Sequence, residues 1–244
     1  MYYNNNIGSL LSLLEEMDKS NVDHLIFSSS CSVYGDADEL PVTENTKVVK
    51  AKSPYGTTKI ISEEIIEDIS THTDLRAISL RYFNPIGAHP SALIGEWPNG
   101  VPQNLVPFMT QAALGKRGEL KVYGDDYNTP DGTPIRDYIY VEDLANAHVK
   151  ALDYLLKRSD SSYEIFNVGT GKGNSVLELL NLFEESTGVN VPYQIVGRRS
   201  GDVVATYADV TKAKLTLNWE PQYTLKQALN SAYIWELNLS KSNL

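Results

Sequence analysis

The 244-residue sequence has one cysteine, Cys31. No intramolecular disulfide can form, and a reducing compartment, the cytoplasm, is the expectation. No apolar run approaches the roughly 20 residues that a membrane-spanning helix needs, so no membrane partner is expected. The opening Met1-Tyr2-Tyr3-Asn4-Asn5-Asn6 lacks both the basic and the apolar region of a signal peptide. Positive charge is also short: 21 Lys and Arg stand against 31 Asp and Glu, a net charge of −10. Nucleic acid demands the opposite balance and is not an expected partner. The four histidines, His24, His72, His89 and His148, show no ligand spacing, so no metal site is expected. There is no internal repeat, and no glycine-rich dinucleotide turn precedes Ser30.

What is present alternates between helix and strand. Leu10, Leu11, Leu13, Leu14 and Met17 recur at helical spacing and predict an amphipathic helix over about 7–20. His24-Leu25-Ile26-Phe27-Ser28-Ser29 is a short apolar run of strand length. Residues 31–52 are polar and read as loop. Pro54 suits a first helical turn because its missing N–H has no intrahelical partner there. That helix is predicted to reach about Ser70 with Ile60, Ile61, Ile65, Ile66 and Ile69 as its buried stripe. A strand is expected over 75–83, then a long Pro- and Gly-rich loop over 84–104, a length usually kept for function. Further strands are predicted near 119–123, 136–141, 163–168 and 191–196, with helices near 103–115, 142–157, 174–187 and 224–238. Such alternation marks an α/β protein with a parallel sheet and crossover helices. The composition changes at Asn84, which gives two domains, 1–84 and 85–244, with the strand near 163–168 returning to the first.

The chemistry lies in Ser28-Ser29-Ser30, which closes the first strand, and in Tyr55-Gly56-Thr57-Thr58-Lys59, which opens the second helix. Residues four apart share a helix face. A tyrosine near its ordinary pKa of about 10 is a poor base at neutrality. An ammonium at roughly 5 Å, in an effective dielectric of about 20, favours the phenolate by about 3 kcal/mol. Tyr55 is therefore expected to be drawn down toward neutrality, where it could take a proton from a sugar hydroxyl. Tyr-x-x-x-Lys alone occurs by chance in many helices; its placement opposite a serine at a strand end makes it informative.

Several ordered stretches resemble one family. They are Phe27-Ser-Ser-Ser-Cys-Ser-Val-Tyr-Gly35, Ser53-Pro-Tyr-Gly-Thr-Thr-Lys59, Arg81-Tyr-Phe-Asn-Pro-Ile-Gly-Ala-His-Pro90, Gly124-Asp-Asp-Tyr127 with Asp131-Gly-Thr133, Arg136-Asp-Tyr-Ile-Tyr-Val141, Asn167-Val-Gly-Thr-Gly171 and Arg198-Arg-Ser-Gly-Asp202. From residue 2 to about 220 the chain resembles the extended short-chain dehydrogenase/reductases, and within them the UDP-glucose (UDP-galactose) 4-epimerases. The resemblance implies the C-terminal part of a Rossmann-like doubly wound parallel sheet with a smaller mixed α/β substrate domain. It implies NAD as cofactor and a UDP-sugar as substrate, whose C4 is transiently oxidised and reset with inversion.

Residue by residue, it makes Tyr55 the base for the 4-hydroxyl, Lys59 the holder of the cofactor ribose, and Ser30 the hydrogen-bonding partner of the reacting oxygen. Asn5 and Phe83 match cofactor-contacting positions. Asn84, Asn104, Leu105, Tyr123, Arg136, Arg199 and Asp202 match positions that hold UDP-sugar. Two arginines suit a pyrophosphate, which a guanidinium fork binds bidentately; taken alone, Arg136-Asp137 and Arg199-Asp202 read as surface ion pairs, and Asn84 and Asn104 as turn formers. Thr206 matches a position where a bulky residue would crowd the sugar 2-substituent, so N-acetylated sugars are expected to be admitted too. Related dehydratases place an acid–base pair after the serine; here Cys31 and Ser32 follow, which disfavours dehydration. Cys31 reads as a packing residue. The helices near 7–20 and 54–70 match those that form a homodimer in the family.

Gly169-Thr-Gly171-Lys-Gly173-Asn-Ser175 has neither phosphate-loop nor dinucleotide spacing, and Ser175 or Asn174 is expected to cap the next helix. Family members begin with further strands, the glycine-rich turn and an acidic ribose ligand. The chain is therefore expected to be a fragment with little NAD affinity or turnover alone. Three readings stay open: a UDP-glucose 4-epimerase, an inactive remnant that keeps UDP-sugar binding or dimerisation, and another NAD-dependent nucleotide-sugar epimerase.

Overall fold

A computed structural model describes residues 2–160 and 162–241. Along the chain, a π-helical turn (Asn4–Gly8) leads into α1 (Ser9–Lys19), β1 (His24–Ser28), a 3₁₀ turn (Cys31–Tyr34), α2 (Pro54–His72), β2 (Arg76–Tyr82) and β3 (Asn84–Ile86). Then come α3 (Leu105–Ala113), β4 (Leu120–Tyr123), β5 (Ile135–Arg136), β6 (Tyr138–Tyr140), α4 (Val141–Leu155), β7 (Ser162–Val168) and β8 (Asn174–Ser175). The chain closes with α5 (Val176–Thr187), β9 (Tyr193–Val196), β10 (Ala205–Thr206), α6 (Thr211–Leu217) and α7 (Leu225–Lys241). The sequence did not point to β3, β8, β10 or α6, which are too short to show a period.

The chain divides into two units. The first holds 1–83, 146–171 and 208–220; the second holds 84–145, 172–207 and 221–244. The second is thus discontinuous, and 146–171 and 208–220, on the far side of the Asn84 composition change, lie in the first.

In the first unit β1, β2 and β7 form a parallel sheet with β2 in the middle. Arg76 opposes His24 on one side and Ser162 on the other. The central strand is covered on both faces, and Ala77 to Arg81 are all buried, as parallel strands require. Leu10, Leu14 and Met17 of α1 pack with Ile66 of α2 and with Leu25, Leu75 and Ala77. A second cluster joins Val33, Tyr34, Val42, Phe83 and Ala208.

The isoleucine stripe of α2 is corrected. Ile66 is fully buried, but Ile60, Ile61, Ile65 and Ile69 are only partly so. The deepest face of the helix carries Gly56, Thr58, Ser62, Glu63, Ile66 and Ser70. Small residues and Glu63, the latter bonded to Ser29 and Arg81, make up that face, and the isoleucines fill the flanks.

The second unit has three small pairings: β3 with β6 and β4 with β9, both parallel, and β5 flanked by parallel β10 and antiparallel β8. Its core gathers Val106 and Met109 of α3, Leu179, Leu180 and Phe183 of α5 and Ala228, Leu229 and Ala232 of α7. Ser175 caps α5 in a capping box with Glu178, and Gly188 ends it in the left-handed region at φ 72°. The Gly169–Ser175 stretch is therefore a helix start, as its spacing indicates. No helix among the described residues is long and apolar enough to cross a membrane.

Candidate active site and nucleotide cavity

In the first unit the chain leaves β1 at Ser28 and turns through Ser29 and Ser30, where Ser30 caps the 3₁₀ turn by accepting from Ser32 N. The helix α2 starts against that turn. Ser53 caps it by accepting from Gly56 N at 3.1 Å. A Cβ on Gly56 would lie 2.8 Å from Ala51 Cβ and 3.1 Å from Ser32 O. Only glycine allows so close an approach, and this approach brings Tyr55 to Ser30.

The Ser30 side chain lies near enough to the Tyr55 phenol to favour its charged form. Lys59 Nζ donates to Ser28 O at 2.7 Å and lies 4.8 Å from the Phe27 ring centre and 5.5 Å from that of Tyr55. The structure thus joins Ser30, Tyr55 and Lys59 in one corner. The other two expected cofactor contacts are placed differently. Phe83 is 4% exposed and its ring belongs to the Val33–Tyr34 cluster. Asn5 is exposed, while its neighbour Asn6 donates to Thr58 Oγ1 on α2 at 2.8 Å.

The electrostatics correct one expectation. Burial pushes the Tyr55 phenol up to about 12, with Tyr82 adding to the rise and the Ser30 side chain opposing it. Burial also lowers Lys59, against the attraction of Glu63. The expected lowering of Tyr55 toward neutrality fails for this chain's own residues because desolvation outweighs a lysine aimed at the Ser28 carbonyl. The phenol stands protonated at neutral pH.

Beneath this corner lies a buried polar network that the sequence did not reveal. Glu63 and Arg81, 5% and 3% exposed, pair at 2.5 Å. Arg81 Nη1 donates to Tyr34 OH at 3.1 Å, which donates to Asn167 Oδ1 at 2.6 Å. Glu63 also accepts from Ser29 Oγ. Its signal was Thr58, Ser62 and Glu63 at helical spacing on the same face as Ile66.

In the second unit a cavity of about 710 Å³ is lined by Asn84, Asn104, Leu105, Tyr123, Arg136, Arg199 and Asp202, among others. That size lies within the range of small-molecule sites. Of the ten residues matched to substrate contacts, these seven, carried by β3, the start of α3, β4, β5 and the chain before β10, line it, while Ser30 and Tyr55 belong to the corner. The tenth, Thr206, is not among the lining residues; it is 9% exposed and opposes Arg136 in the β10–β5 register.

Arg136 pairs with Asp202, Nη2 to Oδ1 at 3.5 Å, and donates from Nη1 to Ile135 O at 2.7 Å. The ion pair read for Arg199-Asp202 is not the one formed; Asp202 pairs with Arg136 instead. Asp202 meets Arg199 only through a backbone turn, N to O at 3.3 Å. Asn104 donates to Glu96 Oε1 at 2.7 Å. Tyr123 is 40% exposed and Arg199 is exposed, so ring faces and guanidinium donors line the cavity wall.

Residues 1–169 match the NAD dependent epimerase/dehydratase family. The chain is 49% identical over 236 residues to the UDP-glucose 4-epimerase of Yersinia enterocolitica, covering 96% of this chain and 69% of that protein. Among solved structures it is similar to the UDP-glucose 4-epimerase from Stenotrophomonas maltophila with bound NAD and formylated UDP-arabinopyranose. There the identity is 44%, the TM-score 0.95, and the coverage 98% of this chain and 71% of the other. The UDP-Glc/GlcNAc 4-epimerase from Campylobacter jejuni is similar at 34% identity and a TM-score of 0.78, with 97% and 71% covered. The chain belongs to the NAD dependent epimerase/dehydratase family.

Proposed function

We propose that this family member carries the proton-transfer group and the UDP-sugar cavity of a UDP-glucose 4-epimerase, interconverting UDP-glucose and UDP-galactose with NAD. The observation that carries the reading is convergence: one corner joins Ser30, Tyr55 and Lys59, and one cavity gathers seven residues from separate elements.

The corner fits the nicotinamide–ribose end of NAD. Lys59 keeps donors beyond the one given to Ser28 O, and Tyr55 is only half-buried. The pyrophosphate of the dinucleotide would need a glycine-rich turn that these residues do not contain. When bound, NAD accepts and returns the C4 hydrogen with its electron pair. The chain's own residues do the rest. Ser30 orients the Tyr55 oxygen, which as the phenolate takes the 4-hydroxyl proton as the carbonyl forms and returns it as the alcohol is restored. The Lys59 ammonium lowers the cost of the phenolate, which burial alone disfavours. Arg136 and Arg199 hold the pyrophosphate of the substrate, with Asp202 orienting the Arg136 fork. Tyr123 offers a ring face to the base.

The single cysteine supports a reducing compartment, the cytoplasm. Leu11 and Leu13 are each 48% exposed on α1, which supports a homodimer through α1 and α2. Calorimetry with UDP-glucose, and conversion of UDP-galactose in the presence of NAD, test the reading. Binding in the micromolar range is expected; failure of UDP-glucose to bind would sink it. The conversion assay also tests the sequence expectation of little turnover.

A second reading concerns the sugar. Thr206 is small and lies outside the cavity lining, so nothing at that position crowds a 2-acetamido group. UDP-N-acetylglucosamine is expected to bind within about tenfold of UDP-glucose, or within about 1.4 kcal/mol; a gap of a hundredfold or more rules this out.

A further inference from the structure

Three consecutive serines take three successive turns of α2. Ser30 lies beside the Tyr55 phenol, the Ser28 carbonyl accepts from Lys59 at 2.7 Å, and Ser29 Oγ donates to Glu63. Tyr55, Lys59 and Glu63 stand four residues apart on one helix face. Glu63 is the deepest of them and the one fixed from the sheet: Arg81 of β2 donates to its carboxylate from Nε at 3.0 Å and from Nη2 at 2.5 Å. We infer that Glu63 is a positioning residue for the proton-transfer pair: its carboxylate, oriented by Arg81, sets the rotation of α2 against the serine corner and supplies the negative charge that balances the Lys59 ammonium.

The geometry leaves little alternative. A carboxylate 5% exposed is costly to bury unless it is paired, and replacing such a pair with apolar groups of similar volume is often tolerated for stability. The pair therefore has a use besides holding the fold. Its two oxygens are divided, one shared between Ser29 and Arg81 and the other given to Arg81, so the helix cannot turn without breaking bonds on both sides. Glu63 is also the charge that opposes the effect of burial on Lys59. The titratable groups in and around this corner are Tyr55 and Glu63 on α2, Arg81 on β2 paired with Glu63, Tyr82 on β2, Cys31 and Tyr2 near the Tyr55 ring, and His148 on α4, whose Nε2 lies 3.0 Å from Ser28 Oγ.

The inference depends on the proposed function only for its meaning in catalysis, and its test needs no turnover. Lysine side-chain ¹³C resonances of the full chain are followed with pH, and Lys59→Arg identifies the Lys59 signal by its loss. In Glu63→Gln the proton affinity of Lys59 is expected to fall about tenfold, one pKa unit, and Glu63→Asp to recover most of it. If Glu63→Gln does not fold, Glu63→Gln/Arg81→Met removes both buried charges; loss of the Arg81 cation offsets part of the effect, so a fall of the same sign but smaller, about threefold, is expected. An unmoved Lys59 midpoint in the folded variant overturns the inference. A moved midpoint in a chain that neither binds UDP-glucose nor turns over UDP-galactose sustains it and sinks the epimerase reading instead.

Discussion

The serine corner of the first unit and the cavity of the second solve opposite problems. In the corner nearly every polar group is answered by the protein itself: Tyr55 by Ser30, Lys59 by Ser28, Glu63 by Ser29 and Arg81, and Arg81 by Tyr34. In the cavity, Arg199 and Asn104 are exposed and Tyr123 is 40% exposed, and the one ion pair, Arg136 with Asp202, is long at 3.5 Å. A group that moves a proton must be held before the substrate arrives, since a small misplacement is costly in rate. A group that grips a ligand is best left for the ligand to complete. The corner should therefore register substitutions in rate and stability, and the cavity in affinity.

The sharpest way to break that contrast is Tyr55→Phe. Turnover of UDP-galactose should fall about 10²–10⁴-fold, the usual range for a general acid–base, while UDP-glucose affinity by calorimetry stays within about twofold. A matched loss of affinity would make Tyr55 a cavity residue. Next in size is Glu63→Ala, which strands a buried guanidinium and should cost about 3–5 kcal/mol in urea denaturation. A loss below about 1 kcal/mol, the value of an exposed pair, would show that the corner is not internally held. Arg136→Ala should weaken UDP-glucose binding by about 1.5–3 kcal/mol, the range for a hydrogen bond to a charged group, with little change in the urea midpoint.

The gentlest test uses pH. Burial raises the phenols of Tyr34 and Tyr55 to about 12, against about 10 for an unfolded tyrosine. The folded chain holds these protons more tightly, so their contribution to stability is full below about pH 10 and is lost as pH rises toward 12. Urea midpoints should fall across that window, and less steeply in Tyr55→Phe.

Much of both regions was legible in the sequence for specific reasons. The Tyr55–Lys59 spacing and the serine run are local, and local patterns survive without a structure. The seven cavity residues are scattered over 119 positions, from Asn84 to Asp202, and no periodicity joins them; only resemblance to a family placed them together. Two things escaped. Hydrophobic patterning assumes that isoleucines face inward, so it turned α2 the wrong way and hid Glu63. Charge spacing alone also sets Lys59 against Tyr55, but the direction of a pKa depends on burial, which no spacing reports. The return of 208–220 to the first unit was invisible too, since α6 is a seven-residue helix with too few turns to show a stripe.

The two-residue ladder of β10 on β5 sets Thr206 against Arg136, with Asp137 N donating to Thr206 O at 3.1 Å. On the proposed reading, the position that would screen the sugar's second carbon and the guanidinium that would hold the phosphates share a single rung, so a bulkier residue built at Thr206 would have to be accommodated by the ladder that carries Arg136.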